Sequence, residues 1–312
     1  MTMRVAILAG GPSPEGQGSF LSADAAGQAL RELGHETEVV DISVPDFWKR
    51  LPDFEAAFIA GHGWYAEDGK LQGLLEVMGL PYTGSGVLAS SVGMHKPTFK
   101  SLMVAHGIET LPWEPVSRGA TAAQISRVTA GIGLPLFAKP ASNGESFEAG
   151  IVRSDKDLRE LLAEEGEYSS DEFIAEPFLT GNTFTVGVLD IDGKIEALPV
   201  LEAVSLREFY DSEAKQDPSL HEYRCPAPIP DSLRDRMQEL AVRVFTVCGC
   251  RGVARVDFML SEDRPVVLEV NTVPGLTLQG NLAAMAKASG LGYRRVVEIM
   301  LQSAFDRPAY CP

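Results

Sequence analysis

The densest group of chemically capable residues lies in Val253-Ala254-Arg255-Val256-Asp257-Phe258 and in Leu268-Glu269-Val270-Asn271. Both stretches alternate polar and apolar side chains, the period of a strand with one buried face. Arg255 and Asp257 therefore share a face, and so do Glu269 and Asn271. If the two strands pair through a turn at Ser261–Arg264, the four polar groups meet on one surface. Two carboxylates and an amide oxygen suit a hard divalent cation such as Mg²⁺, which takes few protein oxygens and completes its shell with phosphate oxygens. An arginine beside them can steady an oxyanion or a phosphoryl group. Taken alone, the pattern fits equally a solvated sheet face with incidental ion pairs. The next residues, Thr272-Val273-Pro274-Gly275, favour the metal reading. A tight turn there exposes backbone N–H donors beside the carboxylates, as an oxyanion site requires.

Phosphate chemistry needs cations, and the glycine loops must be weighed for it. Gly11 to Gly16 has the spacing of a Walker A loop, but position 17 is Gln where Lys is needed. Gly16 and Gly18 begin a dinucleotide fingerprint that fails at Leu21. Lys139 differs: a strand ends there and enters Pro140-Ala141-Ser142-Asn143-Gly144-Glu145-Ser146. A lysine leaving a buried strand is commonly a snorkelling surface residue. With Lys96 and a downstream carboxylate cluster, a nucleotide-phosphate role becomes the better reading. His62, in Ala60-Gly61-His62-Gly63, follows an apolar strand and lies where α/β folds place ligands, although a capping role is the plainer reading of a single histidine. Glu15 follows the first strand in the same way and is expected beside it.

These groups need a scaffold. Arg4–Ala9, Thr37–Asp41 and Ala56–Ala60 read as buried strands, with a helix over Leu21–Leu33 closed by Gly34, so the first third is a parallel sheet flanked by helices. Another helix is expected around Leu71–Met78. The middle third has strands at Leu136–Lys139 and Glu172–Glu176 and a charged helix near Asp155–Glu165. The last third has a helix from about Asp231 to Val247, strands Val253–Leu260 and Pro265–Val270, and a final helix near Tyr293–Ser303. Asp211–Tyr223 is polar and aperiodic and reads as a mobile loop.

Composition narrows the partners. The 312 residues suffice for two or three layers around a sizeable core. A formal net charge of −16 argues against nucleic acid and anionic membrane surfaces, both of which need a basic patch. No long apolar span or leader is evident, so the cytoplasm is the expected compartment. Among the four cysteines, Cys248 and Cys250 match neither zinc nor redox spacing and read as small buried side chains at a helix end.

The same pieces occur together, in order, in one family. LAGGPSPE (8–15), HGWYAEDGKLQG (62–73), GLPYTGSGVLASSVGMHK (79–96), GLPLFAKP (133–140), GCRGVARVDFML (249–260) and LEVNTVPGLT (268–277) resemble the D-alanine–D-alanine ligases of the ATP-grasp superfamily, over nearly the whole chain. The resemblance implies an α/β ATP-grasp fold behind an N-terminal parallel-sheet domain. It implies parts at 1–95, 96–185 and 186–312, and a homodimer acting on small amino acids. The activity it implies activates a small D-amino acid's carboxylate with ATP as an acyl phosphate, which an amine then attacks. Two Mg²⁺, replaceable by Mn²⁺, would be held by Asp257, Glu269 and Asn271. Lys96, Lys139 and Ser146 would bind ATP phosphates, Glu176, Phe178 and Leu179 would line the adenine pocket, and Lys215 would close over the γ-phosphate. Arg255 and the Gly275 N–H would stabilise the tetrahedral intermediate, and Glu15 would hold the donor's ammonium group with His62 close by.

Departures concentrate at the second substrate. Where the family has a loop serine, a loop tyrosine and a carboxylate-binding serine, this chain has Glu145, Gln216 and Gly280, the last followed by Asn281. The ribose-binding glutamate is Thr183. Phosphate, metal and oxyanion positions match while acceptor positions do not, which implies retained activation and a changed acceptor. The alternatives are a sister ligase or cyclase of specialised metabolism and a non-catalytic ATP-binding protein.

Overall fold

The computed structural model describes residues 2–144, 146–164, 169–208 and 219–306; Glu145, Lys215 and Gln216 lie outside them. The chain opens with β1 (Arg4–Ala9), α1 (Ser19–Glu32), β2 (Glu36–Asp41), a 3₁₀ turn and β3 (Ala56–Ile59). The strands pair in parallel in the order β2-β1-β3. Val5 to Ala9 are fully buried because helices cover the sheet, which is why the run is apolar throughout rather than alternating. Next come α2 (Lys70–Met78), α3 (Val87–Met94) and α4 (Lys96–Ala105). Gly79 ends α2 in the left-handed region, at φ 68°.

A second sheet follows from β4 (Glu114–Ser117), α5 (Ala122–Ile132), β5 (Leu136–Pro140), β6 (Gly150–Val152), α6 (Asp155–Ala163) and β7 (Glu172–Pro177). It is antiparallel, in the order β4-β7-β5-β6. Thr121 and Gln124 cap α5 reciprocally, and Ile125 and Val128 turn its apolar face to the sheet.

The third sheet is built from β8 (Thr183–Ile191), β9 (Lys194–Ala197), β10 (Leu201–Ser205) and β11 (His221–Arg224), then α7 (Asp231–Cys248), β12 (Val253–Ser261) and β13 (Arg264–Asn271). It runs β11-β10-β8-β12-β13, with β9 paired to β8. α8 (Asn281–Ser289) and α9 (Tyr293–Gln302) follow. α7 buries Met237, Leu240, Ala241, Val244, Phe245 and Cys248, a helical stripe facing the sheet.

The predicted loop at 211–223 needs correction at its end. His221–Arg224 is a strand, because Ser205↔His221 and Glu202↔Arg224 give these polar residues backbone partners on β10. Cross-strand hydrogen bonding decides the matter where side-chain periodicity is silent. Cys248 and Cys250 are buried at the end of α7, and Cys225, Cys248 and Cys250 are free thiols.

The cores run across these sheets. Val5, Ile7 and Phe58 of the parallel sheet join Leu189, Val253, Leu282 and Met300 in one cluster, fixing the N-terminal sheet against the last. Phe99 and Met103 of α4 pack with Phe184, Val256, Phe258 and Phe245. The sheet of β4–β7 keeps a cluster of its own around Leu136, Leu158 and Phe173. No described helix is long and apolar enough to cross a membrane.

Candidate active site

β12 and β13 pair so that Arg255 faces Asn271 and Asp257 faces Glu269. Counted back from the Ser261–Arg264 turn without a break, the pairs would set Arg255 opposite Val270 and Asp257 opposite Leu268, so the turn and the alternation alone do not give this register. A bulge between Asp257 and Phe258 shifts the remaining pairs by one. Arg255 clasps Asp257 with two parallel bonds, Nε to Oδ1 and Nη2 to Oδ2, both 2.9 Å, and Thr185 on β8 donates to Oδ1 at 2.6 Å. Glu269 opens further toward the cleft, with about a third of its side chain exposed, and its Oε2 lies 3.7 Å from Lys96 Nζ.

Lys96 begins α4 and ties it to the loop after β5. Its N–H donates to Ala141 O at 2.9 Å and its amine to Asn143 O at 2.6 Å. Burial lowers the pKa of this amine, against the pull of Glu269. Lys139 emerges from β5 to pair with Glu176 Oε2 at 2.7 Å. Burial works against its charge, but the carboxylates of Glu176, Glu269 and Asp257 together outweigh it and hold the pKa above the usual lysine value. Lys100, one helical turn after Lys96, reaches the other oxygen of Glu176 and also donates to Thr110 Oγ1 at 2.8 Å and Leu111 O at 3.2 Å. Glu176 thus lies buried between two ammonium groups, with its carboxylate already engaged. Phe178 stacks on Phe137, ring centroids 6.4 Å apart, and Leu179 follows at the exit of β7. Thr183 starts β8 on the face that carries Thr185.

The loops of the parallel sheet complete the site. The Glu15 carboxylate packs against two glycine backbones: a Cβ at Gly144 would lie 2.2 Å from its Oε1, and one at Gly63 3.0 Å from it. Ser13 donates to His62 O at 3.1 Å, so Glu15 and the His62 loop lie together, as their positions after β1 and β3 predict. His62 is half-buried, with Nδ1 3.2 Å from Val273 O and Nε2 3.0 Å from Ser22 Oγ. Burial pushes its pKa down to about 4. Ser146 adopts the left-handed conformation at φ 58°.

The turn after β13 is gripped from outside. Val273 N–H donates to Glu67 Oε1 at 3.3 Å and Leu276 N–H to Ser22 Oγ at 3.1 Å, while Tyr293 donates to Leu276 O at 2.7 Å. Pro274 has no N–H. Among the described residues the Gly275 N–H is the one donor of 273–276 left without a protein acceptor, and a Cβ at Gly275 would meet nothing within 4 Å. The turn therefore leaves a single backbone donor unengaged, four residues after Asn271, the partner of Arg255 across the strands. Gly280 caps α8 on the same loop, and a Cβ there would lie 2.9 Å from Thr277 Oγ1, with Asn281 opening the helix.

Three residues at this site were given no role by the reading above, although Glu67 lies within the motif at 62–73. Lys100 was findable, since Lys96 and Lys100 are four apart on one helix face. The partners of Glu67 and Ser22 were not: each reaches the turn from more than 200 residues away.

Comparison with known proteins decides the family. A family model described as D-ala D-ala ligase C-terminus matches residues 102–302. The chain is 39% identical to the D-alanine–D-alanine ligase of Syntrophotalea carbinolica over 304 residues, 96% of each chain. This chain belongs to the D-alanine–D-alanine ligase family. The ligase of Geobacter sulfurreducens is 37% identical over 311 residues, covering 97% of this chain and 94% of that one. The crystal structure of the Bacillus anthracis D-alanine–D-alanine ligase superposes with a TM-score of 0.85 at 30% identity, covering 97% and 98% of the two chains. The structure of that enzyme complexed with ATP gives 0.82 at 28%. The ATP-grasp α/β fold expected from the sequence motifs is borne out.

Proposed function

We propose that the chain is an ATP-dependent carboxylate–amine ligase that activates a small D-amino acid and joins it to an amine, as in D-alanyl-D-alanine formation. The observation that carries this reading is the turn at 273–276, which leaves one backbone N–H unengaged on the loop leaving β13, the strand whose Glu269 and Asn271 face Asp257 and Arg255 and whose Glu269 meets Lys96. Family membership supports the same chemistry.

In this reading the donor's ammonium group rests on Glu15 and its carboxylate faces the nucleotide. A carboxylate oxygen attacks the γ-phosphorus, ADP leaves, and an acyl phosphate forms, with Lys96, Lys139 and Arg255 spreading the charge. Ser146 and Lys215 belong to the loops expected to cover the phosphates and keep water from the acyl phosphate. The acceptor's amine then attacks the carbonyl carbon. The developing oxyanion is stabilised by Gly275 N–H and Arg255 before inorganic phosphate departs.

Asp257, Glu269 and Asn271 suit two Mg²⁺, or Mn²⁺ in their place. Among the described residues no cluster of three or more Asp, Glu, His or Cys side chains could hold a metal. The ions would therefore lean on Asn271 and on phosphate oxygens, which is how Mg²⁺ usually binds beside a nucleotide. When bound, they would neutralise the triphosphate and polarise its γ-phosphorus. The adenine would lie near Phe178 and Leu179, reached through backbone atoms at the end of β7 because the Glu176 carboxylate is taken.

The acceptor is proposed to differ from D-alanine. Thr277 leaves little room for a serine at Gly280, and Glu145, Gln216 and Asn281 also depart from the family's second-substrate pattern. We place the enzyme in the cytoplasm as a homodimer with parts at 1–95, 96–185 and 186–312, α4 lending Phe99 and Met103 to the core of the third.

The test is amino-acid-dependent phosphate release from ATP and Mg²⁺, across single D- and L-amino acids and pairs, with mass spectrometry of products. Release with D-alanine paired to another amine supports the whole reading. D-alanine as clearly the best acceptor overturns the changed acceptor, and ATP binding without release under any condition overturns the ligase.

A further inference from the structure

Ser22, His62 and Glu67 come from the N-terminal parallel-sheet part of the chain, yet all three hold the turn that follows β13. We propose that they form a positioning cradle that fixes residues 273–276, and through them sets where the Gly275 N–H points. The inference rests on the oxyanion role proposed above for that N–H.

The hydrogen bonds have one consistent direction. Val273 O can only accept, so His62 Nδ1 carries the proton and donates at 3.2 Å. His62 Nε2 is then a lone pair that accepts from the Ser22 hydroxyl at 3.0 Å. The Ser22 oxygen in turn accepts from Leu276 N–H at 3.1 Å. Glu67 receives Val273 N–H at 3.3 Å and, through its other oxygen, Gly63 N–H at 2.7 Å, which locks the His62 loop to the turn. Val273 and Leu276, on either side of Pro274-Gly275, each have both N–H and C=O engaged, Leu276 O by Tyr293, and the Gly275 N–H is left without a protein acceptor among the described residues.

This arrangement reassigns His62. Both its ring nitrogens are committed to the cradle, so it is a positioning residue rather than a group that exchanges protons with substrate. It also gives a role to a buried glutamate that makes no ion pair among the described residues, the charge of Arg255 acting on it from beyond contact distance. Two backbone donors give Glu67 a reason to be there that packing does not supply. An oxyanion donor is effective only when held in place before charge develops, and losing one costs about 10²–10³ in rate. A loosened one should cost less.

The experiment uses the full chain with Ser22→Ala, Glu67→Gln and, as the conservative control, Ser22→Thr. Amide hydrogen exchange of the peptide spanning 273–277 is expected to rise in the first two and to stay near wild type in Ser22→Thr. This holds whatever the enzyme's substrate, so unchanged exchange in Ser22→Ala and Glu67→Gln overturns the cradle by itself. For the rate, phosphate release by both variants is expected to fall roughly 10- to 100-fold, with KM for ATP within about twofold. Affinity for a phosphinate mimic of the tetrahedral intermediate should fall in step with kcat/KM, with donor affinity unchanged. A parallel loss of ATP, donor and phosphinate affinity would instead mark a general structural role and overturn the assignment. A wild type that releases no phosphate defeats the ligase reading while leaving the exchange result standing. Should Glu67→Gln fail to fold, the Ser22→Ala and Ser22→Thr pair decides alone.

Discussion

Gly144 has no side chain where the Glu15 carboxylate lies 2.2 Å from the place a Cβ would take. The clash is with the end of a flexible side chain, so Gly144→Ala should swing Glu15 aside without unfolding the protein. Losing one charge-assisted contact to the donor's ammonium group is worth about 1.5 kcal/mol. A rise of about tenfold in the donor's KM is expected, with kcat at saturation and Tm little changed, and steady-state kinetics against the donor checks it. His62 and Glu67 make a second prediction at this scale. Burial lowers His62 from 6.5 to about 4, so between those values the unfolded chain binds more protons and stability rises with pH. Burial raises Glu67 from 4.5 to about 7, so there the folded chain holds more protons and stability falls with pH. From pH 4.5 to 6.5 the two slopes oppose. Glu67→Gln should therefore gain stability more steeply with pH than wild type, and His62→Gln less steeply. Urea unfolding at pH 5 and 6.5 measures this, and three equal slopes would contradict it.

Elements act here by carrying one partner each of a long-range pair. β7 brings Glu176, β5 brings Lys139 and α4 brings both Lys96 and Lys100. Lys100 is fully buried. Replacing it with Met removes its charge and leaves Glu176 with one counter-ion in a dry setting, which should cost about 3 kcal/mol, in the range for a broken buried pair. Lys139, then the sole partner, is held more firmly to Glu176 and offered less to phosphate, so KM for ATP rises. Chemical denaturation of Lys100→Met, Glu176→Gln and the double variant should show the double losing clearly less than the sum. This element logic also explains what was legible. Alternation at 255–257 and 269–271 was enough to put Arg255 with Asp257 and Glu269 with Asn271. The bulge that brings the two pairs onto one face was not legible, because it shifts the register by one without changing the period of the polar residues. The fully buried strands β1 and β3 were legible as apolar runs. The roles of Glu67 and Ser22 were not, since their partners are backbone N–H groups, which no side-chain pattern advertises. β11 was missed for the same reason: its pairing with β10 is made by backbone, and its side chains are polar.

At the scale of the whole molecule, an acidic chain must bind an anion. The net charge is −16, and Asp257 and Glu269 face the same cleft as Lys96 and Lys139, the lysines proposed to bind phosphate. Without a metal, the triphosphate would meet those two carboxylates at close range, and like charges there work against the pull of Lys96 and Lys139. Nucleotide and Mg²⁺ should therefore be strongly coupled in binding, each raising the affinity for the other by the same factor. The site also draws on all three sheets: Glu15 and Glu67 from loops of the first, Lys139 from the second, Arg255 and Glu269 from the third. A ligand held there bridges the parts and stabilises them together. At about 100 times Kd, binding to the folded state alone adds roughly 2.7 kcal/mol. Thermal unfolding with ATP and excess Mg²⁺ should accordingly show a rise of several degrees, while ATP with a chelator, or Mg²⁺ alone, should give little. In Glu269→Gln the coupling should weaken, because one of the repelling carboxylates is gone along with part of the metal's grip. A full shift from ATP in the presence of chelator would mean that the lysines suffice without a metal and that Asp257 and Glu269 serve only as partners for Arg255 and Lys96.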